Sequence, residues 1–172
     1  MGQQAFQGTG VAIVTPFTAN GDIDFPALKK LLQFLTAGRV EYLVVLGTTG
    51  ESATLDKDEK QRVFSFVAEH NEGKLPLVAG IGGNDTRETV YNYGHFNLQG
   101  YDAILSVSPY YNKPNQQGLY LHYKALNDAA PLPVIMYNVP GRTGMNVSGE
   151  TTVRIAQDCK RIIATKEASG NF

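Results

Sequence analysis

Lys166 closes the apolar run "RIIATK" and stands shortly before Ser169-Gly170, so a strand-like segment carries an amine to its tip. An amine is a nucleophile only when neutral, which requires an apolar surround or nearby cations to lower its pKa. Hydroxyl groups stand at other strand-like tips: Thr48 and Thr49 after a second apolar run, Tyr110 and Tyr111 after a fourth, and Tyr137 at the end of a fifth. Each has a plainer reading when judged singly. A lone lysine at a strand end is commonly a solvated charge. Rim tyrosines pack and bond to backbone, and the threonines of "GTTGES" can serve local amides. Only the joint placement of these groups points to chemistry.

The elements that must position them alternate along the chain. "VAIVT" (Val11 to Thr15), "YLVVL" (Tyr42 to Leu46), "LPLVAGI" (Leu75 to Ile81), "YDAILSV" (Tyr101 to Val107), "LPVIMY" (Leu132 to Tyr137) and "RIIATK" (Arg161 to Lys166) read as strands. They are apolar on both faces, as buried parallel strands are. Leu28, Leu31, Leu32 and Leu35 recur at helical spacing, as do Leu119, His122, Tyr123 and Leu126. Asp24 and Asn115 are placed to cap those helices and Gly38 to stop the first. Further helices are expected near Asp56 to His70, Asp85 to Phe96 and Ser148 to Asp158.

A βα unit repeated about every thirty residues suits right-handed crossovers. An open doubly wound sheet would normally carry a G-x-G-x-x-G turn after its first strand, and "VAIVTPFTANG" has none. A barrel spreads its chemistry over loops after many strands, as here. The open sheet is weakened without being excluded on these grounds; the resemblance described below implies the α/β fold class of the (β/α)8 TIM barrel, of which this chain supplies the first six βα units. Residues 1–172 are expected to form a single domain cut short after strand 6, since a full barrel runs to about 250 residues.

Composition limits the partners. The 15 Lys and Arg residues nearly balance 16 Asp and Glu, for a net charge of -1, which offers no electrostatic footprint for nucleic acid or an anionic membrane. A small-molecule ligand is expected instead. Cys159 is the single cysteine, so neither an intrachain disulfide framework nor a cysteine-based zinc site is expected. His70, His95 and His122 have no metal-ligand spacing, and no metal or cofactor is expected. "GIGGN" (Gly80 to Asn84) reads as a strand turning into a helix rather than a phosphate loop. The start, "MGQQAFQGTG", lacks the pattern of a signal peptide, and Phe6 stands where a myristoylation motif has Ser or Thr. A cytoplasmic location is expected. The glycosylation-like triplets at Asn84 and Asn146 read as helix-entry residues.

"GTTGES" (Gly47 to Ser52), "SPYYNKP" (Ser108 to Pro114), "YNVPGRTG" (Tyr137 to Gly144) and "KEASG" (Lys166 to Gly170), in this order, closely resemble the dihydrodipicolinate synthase family. That family belongs to the pyruvate-dependent class I aldolases and lyases. The resemblance implies condensation of pyruvate with aspartate 4-semialdehyde, the branch step toward diaminopimelate and lysine. It implies Lys166 as the Schiff-base amine, Tyr137 as proton donor and acceptor beside it, and Thr48 linking Tyr137 to Tyr111 in a hydroxyl relay. Thr48 and Thr49 would hold the pyruvate carboxylate, and Arg142 the carboxylate of the aldehyde substrate. Tyr111 would cross a tight dimer interface, so a homodimer or homotetramer is implied. A related Schiff-base aldolase acting on a sialic acid or keto-sugar acid, or a non-catalytic remnant of the scaffold, are the competing readings. The family's last two strands are not countable here, so an excerpt of a longer protein, or a fragment completed by another chain, is expected.

Ser52, Ala53, Asn84, Glu88 and Tyr110 match the pattern by which feedback-sensitive members bind lysine, whereas Lys57 and Lys60 stand where such members have histidines. A cationic Lys60 near Glu88 would compete for the carboxylate that a lysine ligand needs. Weak or absent lysine inhibition is the expected outcome: activity should survive millimolar-range lysine, and cooperative inhibition at low lysine would contradict it.

Overall fold

The computed structural model describes residues 6–171; the expectations that fall on Met1 to Ala5 and on Phe172 lie outside the described residues. The chain divides into two compact units, one running to Gly80 and including Asn97–Asp102, the other comprising Ile81–Phe96 and the chain from Ala103 onward.

The first unit holds β1 (Gly10–Ala12), α1 (Phe25–Ala37), β2 (Tyr42–Val45), α2 (Lys57–Asn71) and β3 (Leu77–Gly80), with β1 and β3 each pairing parallel to β2. Asp24 caps α1, accepting the Ala27 amide at 2.9 Å, and the carboxyl of Asp56 and that of Glu59 close a reciprocal capping box on α2. Gly38 ends α1 as expected but with φ of −73°, and the left-handed residue is Arg39 at +59°. Leu28, Leu32, Leu43, Val45, Phe64, Val67 and Leu77 form the buried core of this unit. Gly80 is required by close approach, because a Cβ there would lie 2.2 Å from the Leu46 carbonyl oxygen. β1 covers only the start of its predicted span, and Val14 is exposed beyond it.

The second unit holds α3 (Thr86–His95), β4 (Ala103–Val107), α4 (Gln116–Ala129), β5 (Val134–Asn138), a four-residue α5 (Pro140–Thr143), α6 (Gly149–Asp158) and β6 (Ile162–Glu167). β5 pairs parallel with both β4 and β6. Leu119, His122, Tyr123 and Leu126 all point into the core from α4, as their spacing predicts. One expectation fails. Asn84 and Asn146 do not cap helices: Asp85 and Ser148 do, one and two residues later. The two asparagines instead accept hydrogen bonds, Asn84 through its carbonyl from Asn112 and Asn146 through Oδ1 from Asn138. β6 is the last strand among the described residues, and its Ala164, Thr165 and Lys166 are exposed. Cys159, at the C-terminal end of α6, is fully buried, and that burial raises its thiol pKa.

His122 packs inside this unit with Nδ1 2.8 Å from the Thr86 hydroxyl, and burial lowers its pKa from 6.5 to about 4. Among the described residues no group of His, Cys, Asp and Glu is placed to hold a metal ion. Because the folded value lies below the unfolded one, the unfolded chain takes up the proton first. This contribution to stability is intact above about pH 6.5 and is lost as pH falls toward 4, in total on the order of 3 kcal/mol. Urea unfolding between pH 4 and 7 should show a steeper acid loss in the native chain than in a His122→Gln variant.

Candidate active site

The C-terminal ends of β5 and β6 bring the predicted amine and phenol together. In their parallel register Tyr137 is the direct partner of Lys166, and Asn138 of Glu167. Successive strand residues face opposite sides, so the two rungs present different chemistry to the two faces. On one face the Lys166 Nζ lies 4.4 Å from the centroid of the buried Tyr137 ring. On the other, the Asn138 amide donates to both Glu167 oxygens, at 3.1 and 2.9 Å.

Two effects act on the Lys166 amine in opposite directions. Partial removal from water lowers its pKa below that of an ordinary lysine, although the residue keeps an exposed surface. The face of the Tyr137 ring favours the cation. An amine so placed can reach solvent-borne substrate and carries a phenol within one side-chain length.

Tyr111 sits on a loop after β4 and is 87% exposed. Its φ is +71°, and the Asn112 amide donates to the Tyr110 carbonyl at 2.8 Å across it, a tight three-residue turn of the strained hand. Lys113, also left-handed at φ +44°, extends its side chain over Gly144, which ends α5 at φ +72°. Arg142 is exposed on α5, which begins with Pro140 and is tied by the Thr143 hydroxyl donating to the Met145 carbonyl at 2.8 Å. The rigid turn fixes the origin of the guanidinium side chain without burying it.

In the first unit, Thr48 and Thr49 open a one-turn 3-10 helix, Thr48–Gly50, and both are exposed. The Thr15 hydroxyl donates to the Gly50 carbonyl at 2.7 Å and fastens that turn to the chain after β1. Amides that begin such a turn are donors available to an anion. Ser52 and Ala53 lie in a second 3-10 turn, Ser52–Thr54. In the second unit, Glu88 is in the first turn of α3, Tyr110 is partly exposed, and Asn84 and Tyr111 line a surface cleft of about 510 Å³ with Asp85, Thr86, Arg87 and Asn112.

Repeated βα units with amine, phenol and guanidinium groups at or just beyond strand C-terminal ends define an α/β protein of the barrel class. A model of the dihydrodipicolinate synthetase family matches residues 5–172, and the chain belongs to that family. It is 53% identical over 169 residues to the 4-hydroxy-tetrahydrodipicolinate synthase of Flavobacterium psychrophilum, covering 98% of this chain and 58% of that one. The crystal structure of dihydrodipicolinate synthase from Thermotoga maritima matches with a TM-score of 0.93 and 44% identity, over 97% of this chain and 56% of that one. The Acinetobacter baumannii enzyme, solved in complex with pyruvate, matches with a TM-score of 0.92 and 43% identity, over 96% and 56%. The fold is thus that of the family's (β/α)8 barrels, with six strands and the helices between them among the described residues. The chain spans a little over half the length of the relatives it matches.

The residues that sequence reasoning missed are Asn138 and Glu167, which lie inside the recognised motifs "YNVPGRTG" and "KEASG". Their signal was the adjacency of each to Tyr137 or Lys166, which places them on the opposite face of the same strand ends. The strained turn at Tyr111 also escaped notice, since a tyrosine gives no cue to positive φ. Replacing Tyr111 by glycine should raise the unfolding free energy of this chain by up to ~1 kcal/mol, because relief of the turn exceeds the added chain entropy. Urea denaturation of the variant checks this, and a lower stability would contradict the assignment of strain.

Proposed function

We propose that this chain carries the Schiff-base machinery of a 4-hydroxy-tetrahydrodipicolinate synthase, a lyase that condenses pyruvate with L-aspartate 4-semialdehyde in diaminopimelate and lysine biosynthesis. The observation that carries the reading is the Lys166 amine over the Tyr137 ring at neighbouring strand ends. Family membership and the pyruvate complex of one relative support the choice of keto acid.

The neutral Lys166 amine attacks the ketone carbon of pyruvate, and loss of water leaves a protonated imine. That cation draws electrons from the methyl group, which gives up a proton to form an enamine, and the enamine carbon attacks the aldehyde. Desolvation of Lys166 raises the neutral fraction available for the first step. Tyr137 exchanges protons with the imine and its precursors, and Thr48 and Tyr111 extend the relay. Thr48 and Thr49 hold the pyruvate carboxylate through hydroxyls and turn amides. Arg142 receives the carboxylate of the semialdehyde, for which a planar guanidinium offers paired donors.

A single barrel domain, assembly into dimers or tetramers with Tyr111 shared between subunits, and a cytoplasmic location complete the proposal. The unbroken family match and the exposure of the Tyr111 ring support the first two, and the single cysteine supports the third. Among the described residues no helix is long and apolar enough to cross a membrane. Borohydride reduction of the complete protein with pyruvate, followed by peptide mapping, should find the adduct on Lys166 alone and none in a Lys166→Met variant. An adduct elsewhere, or none in the native protein, would sink the mechanism.

A further inference from the structure

We infer that Asn138 is a positioning residue for Lys166, and that its amide bridge to Glu167 sets the register that turns the Lys166 amine toward Tyr137. The inference rests on the Schiff-base reading and adds to it a device on the opposite face of the strands.

The need for such a device comes from β6 itself. Its pairing with β5 runs Val134 to Ile162 and then Ile135 to Ala164, so Ile163 is an extra residue in the ladder. Above that irregularity a slip of one residue would exchange the two faces and aim Lys166 away from Tyr137. The rungs above the extra residue therefore need contacts that tell the two faces apart.

Asn138 supplies the missing specification. It is 1% exposed and uses both ends of its amide. Oδ1 accepts the Val147 amide at 3.1 Å, while Nδ2 donates to Asn146 Oδ1 at 2.7 Å and is shared between the Glu167 oxygens at 2.9 and 3.1 Å. Its own carbonyl accepts the Ala168 amide at 2.9 Å, so backbone and side chain grip the same stretch. Glu167 is held in turn by the Ser169 amide at 2.7 Å. Desolvation pushes the Glu167 pKa up, but hydrogen bonds from Asn138, Ser169 and Ala168 outweigh it and hold the carboxyl below its usual range. The bridge therefore runs to a charged acceptor, the stronger kind of hydrogen bond. In the slipped register Glu167 would leave this donor, and the Asn138 amide would keep only Asn146 and Val147.

The test compares Asn138→Ala and Glu167→Gln with the native complete protein, by borohydride trapping with pyruvate, by kcat and KM, and by thermal unfolding. Both variants should still place the adduct on Lys166. In Asn138→Ala, kcat and the trapping rate should fall roughly 10- to 100-fold at temperatures where the variant is folded, with a much smaller change in KM for pyruvate. Glu167→Gln, which keeps an acceptor oxygen and the side-chain size, should retain more activity than Asn138→Ala. Native-like kcat and trapping in Asn138→Ala, or losses that only track the unfolded fraction, would overturn the inference. Should Asn138→Ala fail to fold, Glu167→Ala, which removes the acceptor, decides: a reduced kcat in folded protein supports the bridge and an unchanged one overturns it. A native protein that traps no pyruvate would defeat the Schiff-base reading itself, whereas normal trapping with unaffected variants defeats only the role of Asn138.

Discussion

The parallel register between β5 and β6 is the constraint on which the candidate site depends. Because strand side chains alternate, pairing Tyr137 with Lys166 commits Asn138 to Glu167 on the reverse side. One face gains an amine over an aromatic ring, and the other gains an amide held against a carboxylate. Neither arrangement survives alone, since a shift that frees one pair dissolves the other. Reactive and structural residues are thus two readings of a single ladder.

Around that ladder the chain places its remaining polar groups on short, sharply bent segments. Arg142 stands on a helix of four residues, Thr48 and Thr49 on a one-turn 3-10 helix, and Tyr111 at a positive φ. Such segments have little core of their own and are held by specific hydrogen bonds, as the Thr15 hydroxyl holds Gly50. Precision in these loops comes from directional bonding, whereas the buried strands are fixed by packing as well.

The sequence makes the βα order and the identity of each element readable, because period and composition are strong where burial is complete. Leu119, His122, Tyr123 and Leu126 show this on α4, and all of β5 is buried as its apolar run implies. Helix starts were legible at Asp24, Asp56, Asp85, Asn115 and Ser148, and only the reading of Asn84 and Asn146 as helix-entry residues fails, because a cap follows each within two residues. Lys166 and Tyr137 were recognisable through their motifs. Asn138 and Glu167 were not, although each adjoins a recognised residue, because the bond between them joins segments 29 residues apart.

The burial of Cys159 has a practical corollary. Its thiol is shielded from solvent and resists ionisation, and it is the single cysteine of these 172 residues. Thiolate is the reactive form, so the native chain offers a quiet background to sulfhydryl reagents. A cysteine introduced at an exposed position, such as on the outer side of α1 beside Phe34, would accept a fluorophore or spin label with little competing signal. Distances between the two compact units could then be measured in solution without first removing a native residue.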